Sequence, residues 1–444
     1  MGRYHVHDSS AGLMKAIVDC NNFYCSCERL FVPQLDRKPI VVLSNNDGCV
    51  ISRSDEAKTS GVQMGVPFFE VRSLLQQEGI TWFSSNYELY GDLSWRVMET
   101  LRLLMGEARV EVYSVDEAFI DLDDMGTEAL AALGLSIRER VEQWTGIRVS
   151  VGVGPTKTLA KLANRLAKKD KLRTRCVMVL SDLPAIETAL RKTAVGDLWG
   201  IGRRYARKLQ EQWSIYDGWQ LASVSEEFAH AHLGGVVGKR LVRELRGIPS
   251  KEMEEERTQK KMIATTRMFG RKVYALTEIK EAIATYVARA AEKLRRQYSA
   301  ATELSVFIIA HEEGSRFGKA YSDHCILTNP SADTGVLLHK ALALVETLYR
   351  SGPAYKKAGV LLGGLVPASS RQASLFDQGE ATDDRAGLML AIDNINFSLP
   401  LQSASRHDSI LRFAATGTNR AWKMKQARRS ARYTTRWREL PVVH

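Results

Sequence analysis

Three carboxylates lie where short apolar stretches end or turn. Asp19 lies near the end of KAIVDCN (15–21), and Asp116 and Glu117 join RVEVYSV (109–115) to EAFIDL (117–122). A buried carboxylate is costly unless it is paired or bound to a metal. Paired acids opposite a third acid suit two divalent cations about 3.5–4 Å apart, an arrangement that promotes phosphoryl transfer. Taken alone, Asp19 is more typical of a turn that ends a strand, and Asp116-Glu117 of an exposed hairpin.

The surrounding pattern predicts how these acids are positioned. Apolar residues recur every three or four positions over residues 90–104, which predicts a helix. Further helices are predicted over 127–144 and over 155–169, the latter with Pro155 at its start, and a strand over 148–154. The order β, insertion, α, β, β, α, β matches a split βαβ sheet. In that topology the strands that carry Asp19 and Glu117 are neighbours at the sheet centre, so the three acids form one site.

The character of the chain changes after about residue 185. The segment VGDLWGIGRRYARKLQEQ (195–212) predicts two short amphipathic helices joined by Gly200-Ile201-Gly202. This helix-hairpin-helix pattern allows glycine amides to approach a phosphate, while Arg203 and Arg204 neutralise its charge. Residues 251–261 form a charged linker, residues 262–366 alternate between strands and helices, and the composition from 367 onward is typical of a flexible stretch.

Composition narrows the class of protein. The 444 residues carry a net charge of +11, which favours a polyanionic partner. No apolar run approaches the ~20 residues of a membrane span, and no signal-type stretch begins the chain, so a cytoplasmic protein is expected. The six cysteines form no Cys-x-x-Cys pair and are interpreted as reduced thiols. Residues 412–438 contain no acid and interleave basic with aromatic residues. That segment is typical of nucleic-acid contact, of a solvated tail, or of docking to another protein.

Five segments together resemble a known family. They are DCNNFYCSCE (19–28), SNNDGCVISRSDEAK (44–58), FSSNYELYGD (83–92), VYSVDEAFIDL (112–122) and VGVGPTKTLAKLANRLAKK (151–169). In this order they resemble the motifs of the Y-family DNA polymerases, most closely the UmuC branch, and the resemblance runs from about residue 14 to 441. It implies an α+β multidomain fold, a right-hand polymerase with a split βαβ (ferredoxin-like) palm, small fingers, a helix-hairpin-helix thumb and an α+β little finger.

The domain boundaries follow from this resemblance. Residues 1–13 are an unassigned N-terminal extension, 14–184 palm and fingers (fingers about 25–85), and 185–250 the thumb. The linker 251–261 leads to the little finger, 262–366. Residues 367–385 are a flexible segment, and 386–444 a basic region similar to the UmuC C-terminal region.

The resemblance also implies roles for individual residues. Asp19, Asp116 and Glu117 match the ligands of two Mg²⁺ ions, with the carbonyl of Cys20 as a further ligand. Tyr24 matches the steric gate, whose ring fills the space of a ribose 2′-OH, and Phe23 either supports it or packs in the core. Lys58 and Lys168 fall where the family contacts the nucleotide phosphates. Lys58 stands where many relatives have Arg, and Asp55 where many outside this branch have Tyr.

The expected function is error-prone translesion DNA synthesis in the SOS response. Gln372, Leu375 and Phe376 resemble the sliding-clamp peptide of bacterial polymerases. Primer–template DNA, a dNTP, the clamp, a UmuD′-like dimer and a RecA filament are the implied partners, and a nucleoid-associated cytoplasmic location follows. The alternatives are a DinB-like polymerase, a nucleotide cyclase with a palm-like sheet, and a non-catalytic DNA-binding scaffold at stalled forks.

Overall fold

The computed structural model describes residues 14–123, 125–253, 259–315, 317–370, 382–398, 410–418 and 420–441. The extension before residue 14 and the clamp-like peptide at 372–376 lie outside these ranges. None of the helices in the described ranges has the length and apolar character needed to cross a bilayer.

The described residues between 14 and 179 form two sheets and the helices around them. In chain order the elements are β1 (Met14–Cys20), α1 (Phe23–Leu30), β2 (Ile40–Leu43), β3 (Val50–Arg53), α2 (Asp55–Thr59), α3 (Phe68–Gln77), β4 (Thr81–Ser84), α4 (Tyr87–Met105), β5 (Val110–Val112), β6 (Glu117–Leu122), α5 (Thr127–Thr145), β7 (Val149–Gly154), α6 (Lys157–Lys169), α7 (Lys171–Thr174) and β8 (Val177–Val179).

The larger sheet has five strands in the order β5-β6-β1-β7-β8. β1 is antiparallel to both of its neighbours. Its near-continuous apolar sequence is buried on both faces, which suits the central position in the sheet. The predicted adjacency of the first strand and EAFIDL is confirmed. β8, parallel to β7, was not predicted, since three residues are too few to show a period.

Helix α6 lies unusually close to this sheet. A Cβ atom at Gly152 of β7 would lie 2.2 Å from the amide nitrogen of Asn164 and 2.3 Å from the carbonyl oxygen of Ala160. The Asn164 side chain also donates a hydrogen bond to the carbonyl of Ser150, at 2.8 Å. The helix begins at Lys157, capped by the Thr156 hydroxyl, so the prediction that it starts at Pro155 was two residues early.

The smaller sheet has three strands in the order β3-β2-β4. β2 and β4 are parallel, and β4 is an edge strand. Apolar residues of β2 and β3 pack with α2 and α3 in a separate small core, which includes Val41, Val50, Val71 and Leu75. This sheet and its helices lie between β1 and α4 in the sequence, where the insertion was expected.

A helical unit follows the five-stranded sheet. Its elements are α8 (Leu183–Arg191), α9 (Arg203–Trp213), α10 (Gly218–Ala222), α11 (Glu226–His232) and α12 (Val236–Leu245). The first helix predicted within 195–212 is instead a single 3₁₀ turn, Val195–Asp197. Gly200 then turns the chain with a φ of +96°, a value that favours glycine, and Gly202 precedes α9.

A four-stranded antiparallel sheet with two helices makes up the next unit. Its elements are β9 (Ile263–Val273), α13 (Leu276–Arg296), β10 (Ser299–Ala310), β11 (Lys319–Ser331), α14 (Thr334–Leu348) and β12 (Tyr355–Pro367). The strand order is β11-β10-β12-β9, which leaves β9 at an edge. Helix α15 (Thr382–Ser398) follows, and Arg295 of α13 makes a paired contact with Asp393 at 2.6 and 2.8 Å. Residues 382–385 belong to this helix, so the prediction of a flexible segment extending to 385 was wrong there.

Residues 420–441, here called the C-terminal strap, run from β9 to the three-stranded sheet. At one end Trp422 is buried in the core of the four-stranded unit, and the Gly270 amide donates to the Trp422 carbonyl at 3.1 Å. At the other end Arg429 forms a parallel bridge with Ser84 of β4. The strap therefore packs on its own chain, an arrangement outside the three interpretations of the basic segment.

Candidate active site

The three predicted metal ligands lie at neighbouring strand ends. Asp19 of β1 pairs in register with Glu117, the first residue of β6. The amide of Cys20 donates to the carbonyl of Asp116 at 2.8 Å, which fixes the β5–β6 turn against the end of β1. The turn itself closes because the amide of Ser114 donates to the carbonyl of Glu117 at 3.0 Å. Residues almost a hundred positions apart thus become adjacent.

Asp19 lies in a strongly perturbing electrostatic environment. Burial raises the pKa of Asp19 to about 6, Lys168 opposes that rise, and the charges of Glu117 and Asp116 add to it. The Nζ atom of Lys168 lies 2.5 Å from Oδ1 of Asp19. Burial and the neighbouring carboxylates likewise raise the pKa of the Cys20 thiol. Burial, with a smaller contribution from the two neighbouring carboxylates, therefore makes a cationic partner favourable for Asp19.

A second lysine of α6, missed by the sequence analysis, holds Glu117. The Nζ atom of Lys161 lies 3.0 and 3.1 Å from the two carboxylate oxygens of Glu117. It also lies 4.6 Å from the ring centre of Tyr113 and 4.9 Å from that of Trp199. Lys161 and Lys168 are seven residues apart, which places them on one helix face. That spacing was visible in the sequence, but the partner of Lys161 was not.

The residues present fit a divalent cation in their chemistry. Carboxylate oxygens are the ligands that hard divalent cations prefer. Within the described ranges, no three side chains of His, Cys, Asp or Glu are drawn together as a preformed metal cage. Asp19 and Glu117 are held by lysines, and Oδ1 of Asp116 accepts a hydrogen bond from Ser114 at 2.7 Å. A cation bound here would take the place of the two ammonium groups.

Tyr24 lies beside this site in a cluster of aromatic rings. Its ring stacks on Tyr90 with centres 4.6 Å apart and planes 20° apart, and Tyr87 meets it edge-on at 6.0 Å. Burial raises the pKa of Tyr24 to about 12, with the charges of Tyr87 and Asp116 as further causes. Phe23 is buried in the core, 5.7 Å from the Tyr24 ring. Phe23 therefore packs in the core, next to the Tyr24 ring.

The two predicted phosphate-contacting lysines have acidic partners. Lys168 is paired with Asp19, as described above. Lys58 is exposed, and its Nζ atom lies 2.6 Å from Oδ1 of Asn22 and 2.7 Å from Oδ1 of Asp55. Burial would raise the pKa of Asp55, but hydrogen bonds from Lys171, Lys58 and Asn22 hold it well below its usual range. The two lysines thus flank the loop that links β1 to α1.

The helix-hairpin-helix residues lie in the helical unit. Arg203 and Arg204 are exposed at the start of α9, next to the turn at Gly200 and Gly202. Trp199 lies just before this turn and makes cation–π contacts with Lys161 and Lys251. The ammonium of Lys251 lies 3.6 Å from the centre of the Trp199 ring. The turn is therefore connected by one aromatic residue to the acidic site. Gln372, Leu375 and Phe376 lie outside the described residues.

Comparison of the whole fold defines the class of protein. A Y-family DNA polymerase chimera of Dbh and Dpo4 matches with a TM-score of 0.63 and 21% identity, covering 80% of this chain and 99% of that one. At this identity the match shows the fold alone. The fold is that of a Y-family DNA polymerase, with the five-stranded sheet as palm and the four-stranded unit as little finger.

Sequence comparison then identifies the family. Family models match residues 18–165 (impB/mucB/samB family), 260–375 (its C-terminal domain) and 386–443 (a domain of unknown function). Protein UmuC of Salmonella typhimurium is 39% identical over 96% of this chain and 99% of its own length. Protein ImpB of Salmonella typhimurium is 36% identical over 97% and 99%. The chain belongs to the impB/mucB/samB family, the UmuC branch of the Y-family polymerases.

Membership establishes the activity that the sequence predicted. The chain is a DNA-directed DNA polymerase of the error-prone, translesion kind. A two-metal mechanism and an SOS role are typical of the family, and membership implies dependence on a divalent metal ion.

Proposed function

We propose that Asp19, Asp116 and Glu117 bind two Mg²⁺ ions, with the Cys20 carbonyl as a further ligand, and add a dNTP to a primer 3′-OH opposite a damaged template base. One observation carries this proposal: Asp19, Asp116 and Glu117 lie at the adjacent ends of β1 and β6, and the Lys168 ammonium is paired with Asp19. When bound, the ions would activate the attacking hydroxyl and neutralise the charge on the leaving group.

The lysines of α6 are suited to the nucleotide's phosphates. The ammonium groups of Lys161 and Lys168 pair with carboxylates that cations would otherwise occupy. With cations bound at these carboxylates, the two ammonium groups would be free to pair with triphosphate oxygens. We assign Lys168 to the triphosphate, together with Lys58 across the β1–α1 loop. Asp55 would have to release Lys58 for this contact.

Tyr24 is proposed as the group that selects deoxyribose. Its ring is about half buried, wedged between Tyr90 and Tyr87, and close enough to Asp116 for that charge to affect its pKa. A ring held at that place leaves no room for a 2′-OH on the incoming sugar.

The proposed binding partners are duplex DNA and other proteins. The exposed Arg203 and Arg204, with the turn at Gly200 and Gly202, suit the backbone of the primer–template. Gln372, Leu375 and Phe376 are proposed to bind the sliding clamp. A UmuD′-like dimer and a RecA filament are the proposed further partners, at the nucleoid in the cytoplasm.

The test is extension of a primer by one nucleotide in the presence of Mg²⁺. Asp116→Asn should reduce the extension rate by about 1,000-fold, because several kcal/mol of charge stabilisation is lost, while primer–template binding stays unchanged. Asp123→Asn is the matched control, because Asp123 lies away from the site. It forms an exposed ion pair with Arg109, with the guanidinium nitrogen 2.8 Å from the carboxylate oxygen. Normal extension by Asp116→Asn would refute the assignment. Turnover of a nucleotide without primer would favour a cyclase, and DNA binding with no synthesis in the unmodified chain would favour a scaffold.

A further inference from the structure

The strap docks on the start of helix α4. The amide of Ser84, the last residue of edge strand β4, donates to the carbonyl of Arg428 at 3.0 Å. The amide of Arg428 donates in return to the Ser84 hydroxyl at 3.0 Å. The Arg428 guanidinium lies 3.9 Å from the ring centre of Trp82. The strap therefore pairs with the last residue of edge strand β4, three residues before α4 begins.

The side chain of Asn86 forms hydrogen bonds with the strap and does not cap its own helix. It precedes the first residue of α4 and makes no side-chain cap there. Its amide group donates to Ser430 Oγ at 2.9 Å, to the Ser430 carbonyl at 3.2 Å and to the Ala431 carbonyl at 3.1 Å. An Asn at this position is a strong helix cap in most proteins. Here the Asn86 side chain instead links the start of α4 to the strap.

A buried ion pair adds a second anchor to the same turn. The guanidinium of Arg432 lies 2.9 Å from Glu88 of α4 and 2.9 Å from Glu439 of the strap. The Arg432 side chain is only 5% exposed and that of Glu88 11%. Because both groups are buried, the pair is formed in a low-dielectric environment and resists exchange with water.

A third anchor passes through a fully buried carboxylate. Glu28 of α1 is 0% exposed. Its Oε1 atom accepts a hydrogen bond from the Tyr90 hydroxyl at 2.6 Å and another from the Ser430 hydroxyl at 3.0 Å. One carboxylate oxygen therefore joins the strap to Tyr90.

Tyr90 is the ring on which Tyr24 stacks, and Tyr87 is the ring that meets Tyr24 edge-on. Both come from the first turn of α4, the turn that the strap anchors at three points. The Tyr24 side chain thus has its position set by a part of the chain about 400 residues away. An active-site group works at full strength only when its supporting contacts hold it within about 0.5 Å.

We propose that the strap positions the sugar-selecting tyrosine: Ser430 and Glu28 hold Tyr90, and Tyr90 holds the Tyr24 ring where it excludes a ribose. Glu28 and Ser430 are positioning residues, since neither touches the nucleotide. The inference rests on the proposed role of Tyr24. It assigns a function to part of residues 386–443, which match a domain of unknown function.

The experiment measures the ratio of kcat/KM for a dNTP to that for the matching ribonucleotide, in the full chain. Ser430→Ala and Tyr90→Phe should each lower this ratio by about tenfold, the factor expected for the loss of one buried hydrogen bond. Use of the dNTP should change by less than about threefold. Arg438→Ala is the matched control, because Arg438 is an exposed strap residue, and its ratio should equal that of the unmodified chain.

Two further variants separate this role from a general loss of stability. Tyr24→Ala should lower the ratio more than either change above, and adding Ser430→Ala to it should lower the ratio no further, since the two act on one group. A strap with a merely structural role would reduce the use of both nucleotides alike and leave the ratio unchanged. Tyr90→Phe keeps the ring and its packing, so it remains informative if Ser430→Ala does not fold.

The outcomes distinguish the role of Tyr24 as steric gate from the role of the strap in positioning it. If Tyr24→Ala leaves the ratio unchanged, the assignment of the steric gate is wrong. If Tyr24→Ala lowers the ratio but Ser430→Ala and Tyr90→Phe do not, the gate stands and the positioning role of the strap is overturned. An additive effect of Ser430→Ala on top of Tyr24→Ala also overturns it.

Discussion

Replacement of Trp422 by alanine should release the strap. The side chain is 4% exposed and meets Tyr286 edge-on at 5.9 Å and Phe269 at 6.5 Å. Removal of a buried tryptophan costs about 3–5 kcal/mol. Trp422 belongs to the strap, and the side chains around it belong to the little finger. The lost free energy is therefore lost from the docking of the strap on the little finger. The undocked population should rise roughly 100- to 4,000-fold.

Limited digestion with trypsin measures that population. The strap is rich in lysine and arginine, and cleavage through a transient opening follows the population of the open form. The rate of cleavage within residues 420–441 of Trp422→Ala should therefore rise by up to that factor. Trp437→Ala is the matched control, because this strap tryptophan is 74% exposed, and it should be cut at the unmodified rate. Equal rates for the two variants would refute the reasoning, as would equally fast cleavage throughout residues 263–367.

Three further predictions concern other parts of the molecule. A Cβ atom at Gly270 would lie 2.1 Å from the carbonyl oxygen of Lys423, so Gly270→Ala should push the strap off β9 and speed its tryptic cleavage; an unchanged rate would contradict this. Burial raises the pKa of Glu28 from 4.5 to about 7, opposed by hydrogen bonds from Tyr90 and Ser430. The free energy of unfolding should therefore fall by about 3 kcal/mol between pH 4.5 and 7, and Glu28→Gln should flatten the thermal midpoint against pH, whereas parallel profiles would show that Glu28 does not titrate there. Joint replacement of Leu375 and Phe376 by alanine should abolish clamp-stimulated synthesis but keep basal synthesis, and persistent stimulation would show that the peptide does not bind the clamp.

The sequence was sufficient for the part of the fold that follows local patterns. The apolar run of β1 and the alternation around Glu117 predicted two strands, and the split βαβ order made them neighbours. The pairing of Asp19 with Glu117 follows from that adjacency. A three-residue strand such as β8 shows no period of its own, and only its partner β7 makes it a strand.

The features that the sequence did not predict depend on contacts between residues far apart in the chain. Lys161 was visible as a member of a basic helix face, yet nothing local indicated that it pairs with Glu117. The strap shows the limit more clearly. Its hydrogen bond to Ser84 joins residues 344 positions apart, and its polar sequence predicts neither strand nor helix. Composition described the strap's charge correctly but gave no sign that its partner is the same chain.

The buried position of Trp422 has a consequence for how the protein is made. Domains generally fold as they emerge during synthesis, beginning at the N-terminus. The palm can form early, but the core of the little finger lacks one large side chain until residue 422 has been translated. Until then β4 also presents an open edge, a site where strands of other molecules can add. A nascent or truncated chain that ends before residue 420 carries Asp19, Asp116 and Glu117 but has neither Trp422 nor Ser430. These tertiary contacts therefore form only after residue 430 has been translated, and chains that stop earlier are the ones most exposed to aggregation and proteolysis.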